Sequence, residues 1–234
     1  MAFTSVCTRK KKPLLFHLST TVPLHRDFRQ VCVSIFTMIH DCVVLGHSFV
    51  SGFEHHLRTK HSVCITPSQV ACALGVDRSC TRVHLIGMRG AHTSQLLTCP
   101  RLRQIQPRLV IIDCGSNEIA CGHPPLQVAS RIIDCAQHLL TLNYVQRVLV
   151  CSLLVRSDKT GCLTLDQFNS NISKCNHYLK VFAASESEVA YHSHQGFWTV
   201  PVGVWSRDGL HPNTAAGRKK YQVSLRRAIL SFST

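Results

Sequence analysis

Acidic residues are scarce in this chain. Only 12 Asp and Glu stand against 26 Lys and Arg, a formal charge of +14 over 234 residues. A balance of this sign favours polyanionic partners, either nucleic acid or an anionic membrane surface. Aromatic residues are few as well, at 7%. They do not alternate with the two basic clusters, Arg9 to Lys12 and the set Arg218, Lys219, Lys220, Arg226 and Arg227. Stacking platforms for single-stranded bases are therefore missing there, and any nucleic-acid binding is expected to be weak.

Long apolar runs are also missing. A membrane-spanning helix needs about 18 or more consecutive apolar residues. The best stretch, Val31 to Ile39, is short and broken by Ser34 and Thr37. No membrane span is expected. The N-terminus has a basic start but no clean apolar core, since His17 and several hydroxyl residues interrupt Leu14 to Leu24; a secretory signal is not indicated. Asp27 is the only acid before Asp41, as in a mitochondrial presequence, but the lysine triplet does not suggest one.

Among the 13 cysteines no pair has Cys-x-x-Cys spacing. Structural zinc is therefore not expected, and the odd count without regular spacing argues against a disulfide framework. Cys42, Cys114, Cys135 and Cys151 sit inside apolar strings and read as small buried hydrophobes in a reducing, cytoplasmic compartment. The 15 histidines include His55-His56 and His192-Ser193-His194. Neither group has a carboxylate or Cys at ligand spacing, so no metal is expected.

What is present is a rhythm. Residues 1–40 read as a basic, irregular extension, and residues 41–234 as one domain, a length ample for a core. Short apolar strands are predicted at Cys42 to Gly46, Val83 to Ile86, Leu109 to Asp113, Arg147 to Leu154 and Val189 to His192. Helices are predicted at Ser48 to Arg58, Thr93 to Gln104, Leu126 to Leu142, Asp166 to Ala183, and from Pro212 to about Phe232. Continuous apolar strands alternating with helices imply a parallel sheet covered on both faces. The expected fold is a three-layer α/β/α sandwich with a mostly parallel, flavodoxin-like sheet of about five strands.

In a parallel sheet the strands end on one edge, where ligands bind. Four polar motifs fall on that edge. Gly46-His47-Ser48-Phe49 places a hydroxyl at a helix N-terminus, where negative charge is favoured. Gly87-Met88-Arg89-Gly90 lets backbone N–H groups approach a ligand. Gly115-Ser116-Asn117-Glu118 can aim an amide at an oxyanion. Asp208-Gly209-Leu210-His211 can fold a carboxylate back onto an imidazole. Taken singly, these motifs read as a helix cap, a tight turn, an Asx-turn and a turn with a helix start.

Taken in order, they resemble the SGNH (GDSL-like) hydrolases, over roughly residues 42 to 230. The resemblance implies a serine esterase with Ser48 as nucleophile and Asp208 and His211 completing the triad. It implies an oxyanion hole from Ser48, Gly90 and Asn117, with Gly87 the competing assignment to Gly90. The substrate would be a small, short-acyl ester. Two positions depart from the family: Gly-Asp-Ser reads Gly46-His47-Ser48, and Asn-Asp reads Asn117-Glu118. The Gly-His-Ser-Phe form also resembles esterase-like domains of some animal retrotransposon proteins. The alternative reading is an SGNH-fold module without strong catalysis that binds nucleic acid. Trp198 and Trp205, just before the last motif, are core residues or pocket walls. Oligomeric state is not legible.

Overall fold

The computed structural model describes residues 40–61, 65–158, 162–197 and 203–232. The expected N-terminal extension, its Arg9 to Lys12 cluster and Trp198 lie outside the described residues. Five strands form one sheet: β1 His40–Gly46, β2 Thr81–Gly87, β3 Leu109–Asp113, β4 Arg147–Cys151 and β5 Val189–His192. All pairings are parallel, in the order β2-β1-β3-β4-β5. All five residues of β3 are buried, and Val43, Val44 and Leu45 of β1 are likewise enclosed. Central strands covered on both faces have no use for alternation, which explains their unbroken apolar runs.

Eight helices are present among the described residues: α1 Ser48–His61, α2 Pro67–Leu74, α3 Thr93–Leu96, α4 Pro100–Ile105, α5 Ser116–Ala120, α6 Pro125–Leu140, α7 Leu165–Ala183 and α8 Ala215–Leu230. Helices α1 and α2 pack on β2, and α8 joins α2; α6 and α7 pack together over β3, β4 and β5. This is the three-layer arrangement. The strand order reverses direction between β1 and β3, and the crevice at such a switch point is where α/β proteins bind ligands.

Several boundaries differ from expectation, each for a local reason. The helix expected over Thr93 to Gln104 is two short ones, because Pro100 has no N–H to continue the first and suits the opening turn of the second. Strand β4 stops at Cys151 instead of Leu154. Beyond it Asn176 takes over the backbone of Leu153, accepting from its N–H at 2.7 Å and donating to its carbonyl at 2.9 Å. Helix α8 begins at Ala215, later than Pro212, because the Thr214 hydroxyl caps it by accepting from Gly217 N–H at 3.0 Å. Helices α2 and α5 were not expected at all. Cys42, Cys114, Cys135 and Cys151 are buried, as their apolar neighbours implied.

A chain of buried and half-buried polar groups links β3, β5 and α8. Tyr221 of α8 donates to Asp113 Oδ2, and His194 Nε2 lies 3.7 Å from the same oxygen. His194 Nδ1 is 2.8 Å from Ser224 Oγ, which is 3.0 Å from His192 Nε2. Burial, then the neighbouring His194, pulls the His192 pKa down to about 4. Unfolded histidine titrates near 6.5, so between about pH 6.5 and 4 the unfolded chain takes up a proton that the folded chain refuses. Stability therefore falls as pH drops through that window. Each such histidine contributes up to about 1.4 kcal/mol per pH unit, and partial solvent contact at His192 brings the expected loss to roughly 1–3 kcal/mol. Urea unfolding at pH 7 and pH 4.5 should show this loss, and His192→Gln should reduce it. A midpoint that does not move between these pH values contradicts the account.

Candidate active site

The first motif is built by close packing at the end of β1. A Cβ on Gly46 would lie 2.3 Å from the Asp113 carbonyl oxygen and 2.6 Å from Val50 Cγ2, so no larger residue fits. His47 then turns the chain: its N–H reaches Asp113 O at 3.4 Å and its carbonyl accepts from Ser51 N at 3.1 Å. Ser48 is thus the first residue of α1, its N–H among the unpaired donors of a helix N-terminus. The His47 ring is only 1% exposed. Its Nδ1 lies 3.3 Å from Ser48 Oγ and its Nε2 3.0 Å from Ser116 Oγ.

The second and third motifs are tied to each other and to the first. Asn117 donates its amide to the Ala91 carbonyl at 3.0 Å, one of the two N–H bonds the group can make. Glu118 is buried, and its Oε1 accepts from both the N–H and, at 2.7 Å, the hydroxyl of Thr93. The departure from Asp at this position therefore has a structural role: the longer side chain reaches across to fix the segment after Gly90. Arg89 Nε donates to Ser51 Oγ at 3.4 Å and brings the second motif to α1.

The two candidate glycines separate clearly. Gly87 ends β2, where a Cβ would lie 2.1 Å from Ser51 N, so its glycine is demanded by packing of α1 on the strand. Gly90 sits in the following turn at φ +71° with nothing within 4 Å of a Cβ, so its glycine serves the backbone conformation and leaves its peptide open. Of the two, Gly90 is the exposed one.

The fourth motif folds into a compact loop. His211 Nδ1 donates to Asp208 Oδ2 at 2.6 Å. The other carboxylate oxygen, Oδ1, accepts from Ser206 Oγ at 2.6 Å, Leu210 N at 2.9 Å and His211 N at 3.1 Å. Burial raises the Asp208 pKa, but these donors outweigh it and hold the carboxyl ionised well below the usual range. The loop is clamped from outside by Ser157, whose N–H and hydroxyl both donate to Gly209 O, at 2.9 and 3.3 Å. It meets α1 along one turn: the Phe49 and His211 rings stand edge to face at 5.6 Å, and Asn213 packs on Gly52. Gly87 apart, the sequence-predicted residues Ser48, Gly90, Asn117, Asp208 and His211 thus belong to segments that touch one another at one sheet edge.

Three contributors escaped the sequence reading, Ser206 and Ser157 around the Asp208 loop and Arg156 near it, while His47 was noted there only as a departure from the family. Arg156 is buried over the Phe168 ring at 4.3 Å, and burial lowers its pKa to about 10 even though Asp208 raises it. Of these, only Ser206, two residues before Asp208, had a readable signal, that of a short-range hydroxyl–carboxylate pair. Trp205 is buried and packs on Phe197, the core role.

Two cavities lie among the elements, neither lined by Ser48. One of about 590 Å³ lies behind Thr93 and Glu118, and one of about 270 Å³ lies between α1, α2 and α8. The C-terminal basic cluster is spread around α8. Successive helical residues are about 100° apart, so Arg218, Lys219 and Lys220 cannot form one stripe. Several of these cations are held by the chain itself: Lys220 by Gly196 O at 3.2 Å and Arg227 by Gln195 Oε1 at 2.6 Å. No metal-competent cluster of His, Cys, Asp or Glu occurs among the described residues, nor any helix long and apolar enough to cross a membrane.

No family model and no curated protein matches the chain by sequence. Solved structures do. A protein of Desulfitobacterium hafniense assigned to the G-D-S-L lipolytic family superposes with a TM-score of 0.57 at 13% identity, covering 80% of this chain and 98% of its own. The lipase/acylhydrolase of Enterococcus faecalis gives 0.56 at 13% identity, covering 82% and 95%. The acetylxylan esterase Axe2 of Geobacillus stearothermophilus gives 0.59 at 14%, covering 82% and 94%. The chain shares the three-layer α/β/α fold of these proteins.

Proposed function

We propose that this chain is a serine esterase acting on small, short-acyl esters. The observation that carries the reading is the ionised Asp208 holding His211 through Nδ1, on a loop packed against the first turn of α1, where Ser48 opens the helix. Bonding at Nδ1 leaves Nε2 as the free base of the imidazole. His211 takes the Ser48 hydroxyl proton as Oγ attacks the ester carbonyl, and Asp208 stabilises the imidazolium. The Ser48 and Gly90 N–H groups and the Asn117 amide receive the oxyanion, each donor worth about 3–4 kcal/mol. His211 then protonates the leaving alcohol, and water hydrolyses the acyl-enzyme. No step needs a metal or organic cofactor. The named activities of the structural relatives, lipase, acylhydrolase and acetylxylan esterase, belong to the same reaction class.

A fluorophosphonate probe tests this directly. It should label the wild-type protein at Ser48 and leave Ser48→Ala unlabelled. Failure to label folded protein between about pH 6 and 9 overturns the proposal. In that case the nucleic-acid-binding reading, which rests on the +14 charge, becomes the better account.

A further inference from the structure

Where the G-D-S-L motif has Asp, this chain has His47, and the ring reaches the candidate nucleophile. Nδ1 stands 3.3 Å from Ser48 Oγ, while Nε2 stands 3.0 Å from Ser116 Oγ, the residue before Asn117. The Phe49 ring, 4.8 Å away and edge to face, closes one side. The ring has no room to swing, because it is 1% exposed.

The charge state of the ring follows from its surroundings. Burial disfavours the imidazolium first. Asp113 and Glu118 favour it, Arg156 and His211 oppose it, and the net effect lowers the pKa. Near neutral pH the ring therefore carries one N–H. Its location is decided by the reaction. Ser48 must give its own proton to His211, so a ring nitrogen that accepted that proton would aim the hydroxyl away from the base. The productive tautomer has the N–H on Nδ1, donating to Ser48 Oγ, with the Ser116 hydroxyl donating to Nε2.

We propose that His47 is a further catalytic residue, whose Nδ1–H holds Ser48 Oγ and stabilises that oxygen as it leaves the acyl group; this rests on Ser48 being the nucleophile. The asymmetry between the two halves of the reaction makes the role specific. During acylation Oγ is the attacking atom, and a donor on it helps orientation but withdraws electron density. During deacylation water attacks the acyl carbon and gives its proton to His211. The C–Oγ bond then breaks, its electron pair passes to Oγ, and His211 returns the proton to Oγ as the carboxylic acid departs. His47 keeps its proton throughout. An N–H donor at developing charge on Oγ accelerates this second half, in the manner of other donors aimed at developing charge.

Removing the donor should therefore trap the acyl-enzyme. With 4-nitrophenyl acetate, His47→Leu should release nitrophenol in a burst approaching one per labelled active site, followed by a steady state about 10- to 100-fold slower than wild type, the loss of one hydrogen bond to a charged group. His47→Asn and His47→Gln separate chemistry from packing. The Asn amide nitrogen falls where Nδ1 was and should restore most of the steady-state rate. The Gln amide falls where Nε2 was, retains the Ser116 contact, and should remain slow. Melting temperatures and fluorophosphonate labelling establish that each variant is folded. Equal loss of burst rate and steady-state rate, or Gln restoring turnover as well as Asn, overturns the role assigned to His47. A wild-type protein that neither takes the probe nor releases nitrophenol overturns the esterase reading itself, and this inference with it.

Discussion

His211→Ala should reduce ester hydrolysis about as far as Ser48→Ala does, by roughly 10⁴- to 10⁶-fold in kcat, because nucleophile and base act as a unit. The expectation rests on His211 being the proposed base for the Ser48 proton. His211 has Nδ1 engaged by Asp208 at 2.6 Å, which leaves Nε2 to accept. The other nearby imidazole, His47, is enclosed and disfavours the protonated form. The signature is non-additivity: steady-state hydrolysis by the Ser48→Ala, His211→Ala double variant should match that of either single variant. A loss of less than about 10²-fold in His211→Ala would assign the base to another residue, with His47 the first to examine.

Asp208→Asn should lower kcat by about 10⁴-fold while leaving the loop folded, as expected when an imidazole is left in the wrong tautomer. The geometry makes this substitution unusually clean. Oδ1 accepts from Ser206 Oγ, Leu210 N and His211 N, so the amide oxygen of Asn is held in that place. The amide nitrogen must then replace Oδ2 and face His211 Nδ1 as a donor. His211 responds by accepting at Nδ1 and carrying its proton on Nε2, where it no longer works as a base. Asp208→Ala lacks that forced tautomer and should retain more activity than Asp208→Asn at equal stability. The reverse order, measured by kcat on a short-chain ester, would show that the carboxylate acts by charge alone. Partial exposure of the Asp208 side chain, 44%, makes the tautomer argument the stronger of the two.

Both predictions depend on groups that were readable to different degrees. The strands Cys42 to Gly46 and Leu109 to Asp113 were legible because a two-sided buried strand needs an unbroken apolar run, a signal carried by the residues themselves. The Ser, Gly and Asn motifs were legible because each follows a strand, β1, β2 or β3, and all parallel strands deliver their ends to one edge, whereas the Asp208 to His211 motif lies in the long connection before α8. The break at Pro100 was legible in principle, since the missing N–H is a property of one residue. Helix α2 was also within reach: Thr66-Pro67-Ser68-Gln69 forms a capping box with Pro in the first turn.

The amino-acid sequence by itself determined the layer architecture and the parallel sheet, because periodicity and chain direction are local properties; it named Ser48, Gly90, Asn117, Asp208 and His211 as candidates from their motifs alone. Only the tertiary structure decided how those residues are held. Gly90 and Gly87 carry the same letter, yet one is demanded by packing against Ser51 and the other by a left-handed turn. His47 and Glu118 read as departures from a motif; in three dimensions one reaches Ser48 and Ser116, and the other fixes Thr93, 25 residues away. The same holds for Ser157 on Gly209 and Tyr221 on Asp113, separated by 52 and 108 residues. Hydrogen bonds are directional and short, so their partners are chosen by where the folded backbone places each atom, and no local pattern in the chain records that choice.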